Sequence, residues 1–279
     1  MKNPNEETVA QAIKRITDIL RQRAGEEARR EASLLVASLL AVDHRQLLML
    51  HDKQLSMVDA EKLTSLANRR ALGEPLQYLL GTWEFMGLSF AVSPAVLIPR
   101  ADTELLVEEA LHLITARNYH SMLDLCCGSG CIGIAVQHHT GISVTMSDIS
   151  TDALALAKDN ARYNKAEATF ALGDLFQPLE NKKYDLIASN PPYLNAQEMK
   201  TLQPEVAREP RLALDGGQDG LDFYRRIASE YQKHLMPGGA LLLEIGATQA
   251  KDVTYIFEAD LVLRDYGGND RVVLVNGKE

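Results

Sequence analysis

Cysteine is scarce in this 279-residue chain, and all three, Cys126, Cys127 and Cys131, crowd within six residues. An odd, local set with no partners elsewhere argues against a disulfide framework and makes a reducing cytoplasm the expected setting. No apolar run approaches the roughly 20 residues that span a bilayer. The opening MKNPNEETVA lacks the apolar stretch of a signal peptide, so no membrane is expected as a partner. Basic excess is missing too. Net charge is −9, and because residues 1–75 hold 12 Lys and Arg against 11 Asp and Glu, the rest of the chain carries −10. Such a surface is a poor general binder of polyanions, and no direct nucleic-acid partner is expected. Internal repeats and low-complexity stretches are absent. What is present is a hydrophobic content of 46%, ample for a core and incompatible with disorder.

The first 75 residues read as a small helical bundle. Val9, Ile13, Ile16 and Leu20 recur at steps of four, three and four. Ala32, Leu35, Val36, Leu39 and Leu40 form a second apolar face, and Leu63, Leu66 and Ala67 a third, before Gly73-Glu74-Pro75 breaks the pattern. With no chemistry-bearing cluster inside it, the bundle's expected role is substrate recognition. Residues 76–97, with Gly81, Gly87, Pro94 and four aromatics, read as a hairpin linker. Residues 98–279 read as a third, catalytic segment. A helix is expected from Thr103 to His112. Strand-like runs then follow at Met122–Cys126, Ile142–Met146, Ala168–Leu172, Tyr184–Ala188 and Ala240–Ile245, with helices at 131–138, 152–163, 221–235 and 248–258. That alternation predicts an α/β fold with a doubly wound, Rossmann-like parallel sheet. Leu261–Arg264 and Arg271–Val275 are too close for a crossover helix, so the last strand is expected to run antiparallel.

Two motifs carry chemistry. Gly128-x-Gly130-x-x-Gly133 follows the first of these strands, and Asp148 lies 20 residues past Gly128, at the end of the next strand. This spacing fits a dinucleotide fingerprint, in which the acidic residue holds ribose hydroxyls. Asp124, four residues before Gly128, counts against a pyrophosphate there. It suits instead the cationic sulfonium and ammonium of S-adenosylmethionine. Asp174, after the third strand, is placed to accept from an adenine amino group, with Leu175 over the ring face. The second motif is Asn190-Pro191-Pro192-Tyr193, at the end of the fourth strand. The prolines hold the backbone rigid. Asn190 offers a side-chain carbonyl, Pro191 a main-chain carbonyl and Tyr193 a flat face. Two acceptors gripping a planar –NH2 orient a poor nucleophile toward an electrophilic methyl and support the charge developing on nitrogen.

With these motifs in view, the chain resembles the release-factor glutamine N5-methyltransferases, among the S-adenosylmethionine-dependent amino-methyltransferases. The resemblance covers nearly the whole chain. Its specific elements include Glu74 to Leu79, Val96-Leu97-Ile98-Pro99-Arg100, Asp124 to Gly130, Asp148-Ile149-Ser150, Gly173 to Phe176, Ser189 to Tyr193, Glu209-Pro210-Arg211, Asp219 to Tyr224 and Asp270 to Val273. It implies methylation of the glutamine amide in the Gly-Gly-Gln motif of peptide chain release factors, tuning translation termination, with S-adenosylhomocysteine as the second product and no metal. It implies that Cys126, Cys127, Gly128, Ser129 and Gly130 bind the methionine part, that Asp148 and Ile149 lie by the ribose, and that Asp174 and Leu175 lie by the adenine. Asn190, Pro191, Pro192 and Tyr193 would hold the glutamine amide. Arg100 and the Glu209 loop would help close the site. Two departures stand out: Ala101 where the family commonly has proline, and Cys126-Cys127 where the glycine loop often begins Gly-Thr. A DNA or RNA amino-methyltransferase shares the chemistry and is the alternative, opposed by the acidic catalytic segment. A monomer is expected.

Overall fold

The computed structural model describes residues 7–277, which divide into two compact units. The first comprises residues up to Gly81 together with Gln203–Arg208. Its helices are α1 (Val9–Ala24), α2 (Ala28–Leu40), α3 (Met57–Ala71) and α4 (Leu76–Leu80). A capping box starts α1: the Thr8 hydroxyl accepts the Gln11 N–H and the Gln11 side chain accepts the Thr8 N–H. Val9, Ala12, Ile16 and Leu20 form its buried stripe, so Ala12 takes the core position expected of Ile13. Buried Arg70 pairs with Glu31 and with Glu205, and Glu205 also takes Arg23. The segment 203–208 is thus tied into the helical unit by charge-assisted hydrogen bonds.

The second unit holds Thr82–Leu202 and the residues from Glu209 onward. It begins with the hairpin β1 (Thr82–Phe85) and β2 (Leu88–Ala91). Met86 and Gly87 both have positive φ at its two-residue turn, as a right-twisted hairpin requires. Helix α5 (Glu104–Arg117) leads into a seven-stranded sheet with order β5-β4-β3-β6-β7-β9-β8. Its strands are β3 (Ser121–Leu125), β4 (Ser143–Asp148), β5 (Ala168–Leu172), β6 (Tyr184–Ser189), β7 (Leu235–Glu244), β8 (Leu261–Arg264) and β9 (Asp270–Asn276). The crossover and trailing helices are α6 (Cys131–Thr140), α7 (Thr151–Tyr163), α8 (Asp222–Glu230) and α9 (Ala250–Phe257). The neighbours from β5 through to β7 pair in parallel, and β9 runs antiparallel to both β7 and β8. Alternate side chains explain the burial of both faces. Met122, Leu186 and Leu242 join one core with α5, α6 and α7, while Leu123, Ile187 and Leu243 join the other with α8 and α9.

Three local expectations are corrected. Residues 76–80 form helix α4 in the first unit, ahead of the hairpin. The helix expected over 221–235 stops at Glu230 and tightens into a short 3₁₀ turn, Tyr231–His234. Strand β7 begins five residues before the apolar run, because Leu235 pairs with Tyr184 across a bulge.

Candidate active site

The order in which strands are added reverses between the parallel neighbours β3 and β6: β4 and β5 lie to one side, β7 and its partners to the other. In open α/β sheets ligands bind beyond the strand ends at this switch point. Leu125 pairs with Ser189, so Cys126 and Asn190 leave adjacent strand ends side by side. A cavity of about 320 Å³ opens there. Its floor is the turn Cys126–Ser129 with Ser147, Asp148 and Ile149, and one wall is Gly173, Asp174 and Leu175. Asn190, Pro192, Arg100 and Thr103 form another wall, and Leu212, Phe223 and Arg226 complete it.

The turn is shaped by its backbone. Gly128 has φ +53 with no atom within 4 Å of where a Cβ would stand, so it faces open space. Its N–H donates to Asp148 Oδ2 at 2.8 Å, while Asp148 Oδ1 accepts from Ser150 N at 2.9 Å. Burial nevertheless raises the Asp148 carboxyl against these bonds. Cys126 has φ +63 and Leu175 φ +47. Left-handed backbone at a non-glycine residue costs about 1 kcal/mol, and both strained residues line the cavity. The φ of Cys126 is one that glycine adopts without strain, in keeping with the glycine that the resemblance leads one to expect there. Burial pushes all three thiols upward, so none is a ready nucleophile.

Of the residues expected at the site, Cys126, Cys127, Gly128, Ser129, Asp148, Ile149, Asp174, Leu175, Asn190, Pro192 and Arg100 meet on the cavity. Asp124, Gly130, Pro191 and Tyr193 do not. Asp124 is fully buried behind the turn, where its Oδ2 accepts the Gly133 N–H at 2.8 Å and its Oδ1 has no partner. Strand alternation turns it toward α6, away from the crevice. A Cβ on Gly130 would press on Ile134, Ala157 and Met146, so this glycine serves packing. Pro191 is buried. The ring of Tyr193 packs in the α8/α9 core, its hydroxyl is pushed up to about 12 by burial, and its carbonyl accepts from Gln249 Nε2 at 3.0 Å. Asp174 is present but engaged: Arg226 Nη2 donates to its Oδ2 at 2.6 Å, leaving Oδ1 for a ligand.

Arg100 pairs with Glu209, which also accepts the Ile98 N–H at 3.0 Å. Each cation lining the cavity, Arg100 and Arg226, therefore already has a carboxylate. Sequence reading gave no site role to Thr103, Leu212, Phe223 and Arg226, although Phe223 lies within the Asp219 to Tyr224 element and Leu212 follows Glu209-Pro210-Arg211. It also missed Glu244, buried at the end of β7 beside Asn190. Its carboxyl is pushed up to about 7 by burial, against hydrogen bonds from Thr103 and Asn190.

Asp124 gives a pH prediction. Burial raises its carboxyl to about 7. As pH rises from about 4 to about 7 the unfolded chain gives up this proton while the folded chain keeps it, so stability falls through that window and levels off above it. Asp124→Asn removes the effect. Its stabilising gain is expected to grow by about 2 kcal/mol between pH 5 and pH 8, read from thermal melts. Glu244, raised likewise, contributes the same slope to both proteins.

Residues 11–81 match the family described as PrmC N-terminal domain, and residues 101–218 match the Methyltransferase small domain. Among curated relatives, the release factor glutamine methyltransferase of Geobacter sulfurreducens is 44% identical, covering 91% of each chain. That of Moorella thermoacetica is 39% identical over 93% of this chain and 99% of its own. Among solved structures, the T. thermophilus 16S rRNA N2 G1207 methyltransferase, in complex with AdoMet and guanosine, superposes with a TM-score of 0.54. It is 16% identical and covers 71% of this chain and 50% of that one, a likeness of fold alone. Identity at this level along nearly the whole length makes the chain a member of the release factor glutamine methyltransferase family.

Proposed function

We propose that this chain transfers a methyl group from S-adenosylmethionine to the side-chain amide nitrogen, N5, of the glutamine in the Gly-Gly-Gln motif of peptide chain release factors. The observation that carries the reading is Asn190 on the cavity wall, one residue beyond the strand end that adjoins the glycine turn. The cavity's chemistry fits the donor. It offers the Asp148 and Asp174 carboxylates and mostly apolar walls, and both of its cations are already paired. A pyrophosphate would find no unpaired cation on these walls, whereas a phosphate-free adenosyl sulfonium needs none.

On this reading Asp148 holds the ribose hydroxyls, Asp174 Oδ1 and Leu175 the adenine, and the backbone of Cys126–Ser129 the methionine end. When bound, S-adenosylmethionine supplies an electrophilic methyl. The Asn190 carbonyl accepts one N–H of the glutamine amide, and the Pro191 main-chain carbonyl is the candidate second acceptor. Together they orient the nitrogen and support positive charge developing on it. No general base is needed before attack, since the amide proton becomes acidic only as methylation proceeds. Pro192 stiffens the segment, and Arg100 lies at the rim, fixed by Glu209.

A nucleobase amine would meet the same acceptors, but the −10 carried by residues 76–279 disfavours a polyanion. A cytoplasmic setting, a monomeric state and recognition of the release factor by the helical unit belong to the same proposal. The test is mass spectrometry of a release factor incubated with this protein and S-adenosylmethionine. One added methyl on the Gly-Gly-Gln glutamine is expected. Cofactor binding without that product would overturn the substrate assignment.

A further inference from the structure

An asparagine acts as an acceptor only if its carboxamide faces the right way. The oxygen and nitrogen ends are nearly equal in size, so packing alone barely distinguishes them. If Asn190 turned over, its NH2 would meet the substrate's NH2, donor against donor. Something behind the side chain must set its orientation.

Parallel pairing of β6 with β7 matches Ser189 to Leu243, so the next residues, Asn190 and Glu244, lie side by side at the strand ends. Thr103, which precedes α5, is buried against both. Asn190 Nδ2 donates to Thr103 Oγ1 at 3.3 Å. Glu244 is 1% exposed with Oε2 lacking a partner, and Thr103 and Asn190 are the neighbouring polar groups that favour its charged form. In its ionised form a carboxylate at the end of this chain can only accept, and that gives the chain its direction. Such a carboxylate draws the one hydroxyl proton of Thr103, whose oxygen is then left to accept from Asn190, as it does. Asn190 must then turn its NH2 inward and its carbonyl toward the cavity. A polar network this deeply buried tolerates few alternatives.

We propose that Glu244 is a positioning residue for methyl transfer: with Thr103 it locks the Asn190 carboxamide in the orientation that leaves its carbonyl oxygen for the substrate amide. This rests on the reading of Asn190 as the amide acceptor. Glu244 itself touches neither substrate nor donor, so its effect falls on kcat and not on binding.

The test compares single-turnover methylation of a release factor in four variants, with S-adenosylmethionine affinity measured by calorimetry. In Glu244→Gln the new amide can present either end to its neighbours, so the direction is lost. In Thr103→Val, close in shape, the relay is cut. Each is expected to lower kcat about tenfold, with KM and donor affinity within about twofold, the loss of roughly one charge-assisted hydrogen bond. Asn190→Asp sets two carboxyls against each other and loses activity. Adding Glu244→Gln there supplies an NH2 to the new carboxylate and is expected to raise kcat about tenfold. This reversal of sign between backgrounds is one that general loosening of the core does not produce. Glu244→Gln acting in the same direction in both backgrounds, or Thr103→Val turning over at the wild-type rate, would overturn the proposal. Wild-type protein that fails to methylate the release factor would instead overturn the functional reading.

Discussion

Asn190→Ala is expected to bind S-adenosylmethionine within a few-fold of wild type and to transfer methyl about 10²–10³ times more slowly. Its side chain sits on the wall of the cavity beside the glycine turn but is not needed to shape that turn. The donor's expected contacts, the Cys126–Ser129 backbone, Asp148 and Asp174, are untouched by the change. On the proposed reading the missing carbonyl is an acceptor at the reacting nitrogen, where preorganised polar groups have their largest effect. Alanine also leaves Thr103 and Glu244 without the carboxamide they hold, so some loss of thermal stability should accompany the loss of rate. Calorimetry and single-turnover kinetics separate the two. Normal turnover in this variant would remove Asn190 from the chemistry.

Asp148→Ala is expected to act on binding. Both carboxylate oxygens are in use before any ligand arrives, one on Gly128 N and one on Ser150 N. The same group is the candidate acceptor for two ribose hydroxyls. Alanine removes those contacts and the brace that holds the glycine turn. Losing two hydrogen bonds to a charged group corresponds to about 100-fold weaker S-adenosylmethionine binding. Saturating donor should recover much of the rate, since Asn190 is unaffected. A dissociation constant within about threefold of wild type would mean that the ribose is held elsewhere.

Much of this arrangement is legible in the residues, because two independent periodicities agree. Apolar runs at β3, β4, β5 and β6 alternate with helical stretches, and the glycine turn and Asn190 fall at strand ends, where a doubly wound sheet puts its ligands. What escaped has particular causes. Pro75 reads as a terminator, yet it precedes α4, at the helix start where proline's fixed φ is an advantage. Asp124 reads as a ligand contact from its distance to Gly128. It shares a sheet face with Met122, however, and that alternation carries it under the turn. Glu244 hides in the apolar run of β7. The available signal was the oddity of an acidic residue in a strand otherwise fit for burial on both faces. Thr103 and Arg226 come from distant segments, and nothing local in the sequence marks them.

The six residues Gln203–Arg208, which belong to the helical unit although they follow β6, bear on the order in which the protein is made. The ribosome delivers α1 to α4 first, but Arg70 waits for Glu205, 135 residues further along. By then four strands of the sheet have emerged. The helical unit therefore cannot reach its finished state while the chain is still short, and an isolated fragment ending at Gly81 lacks a piece of itself. Truncation from the front has the mirror consequence: it strips Glu205 of both its arginines, in the stretch of chain immediately before Glu209. A fragment ending at Arg208 holds all of the helical unit and one starting at Thr82 holds all of the other, but no single cut yields both whole.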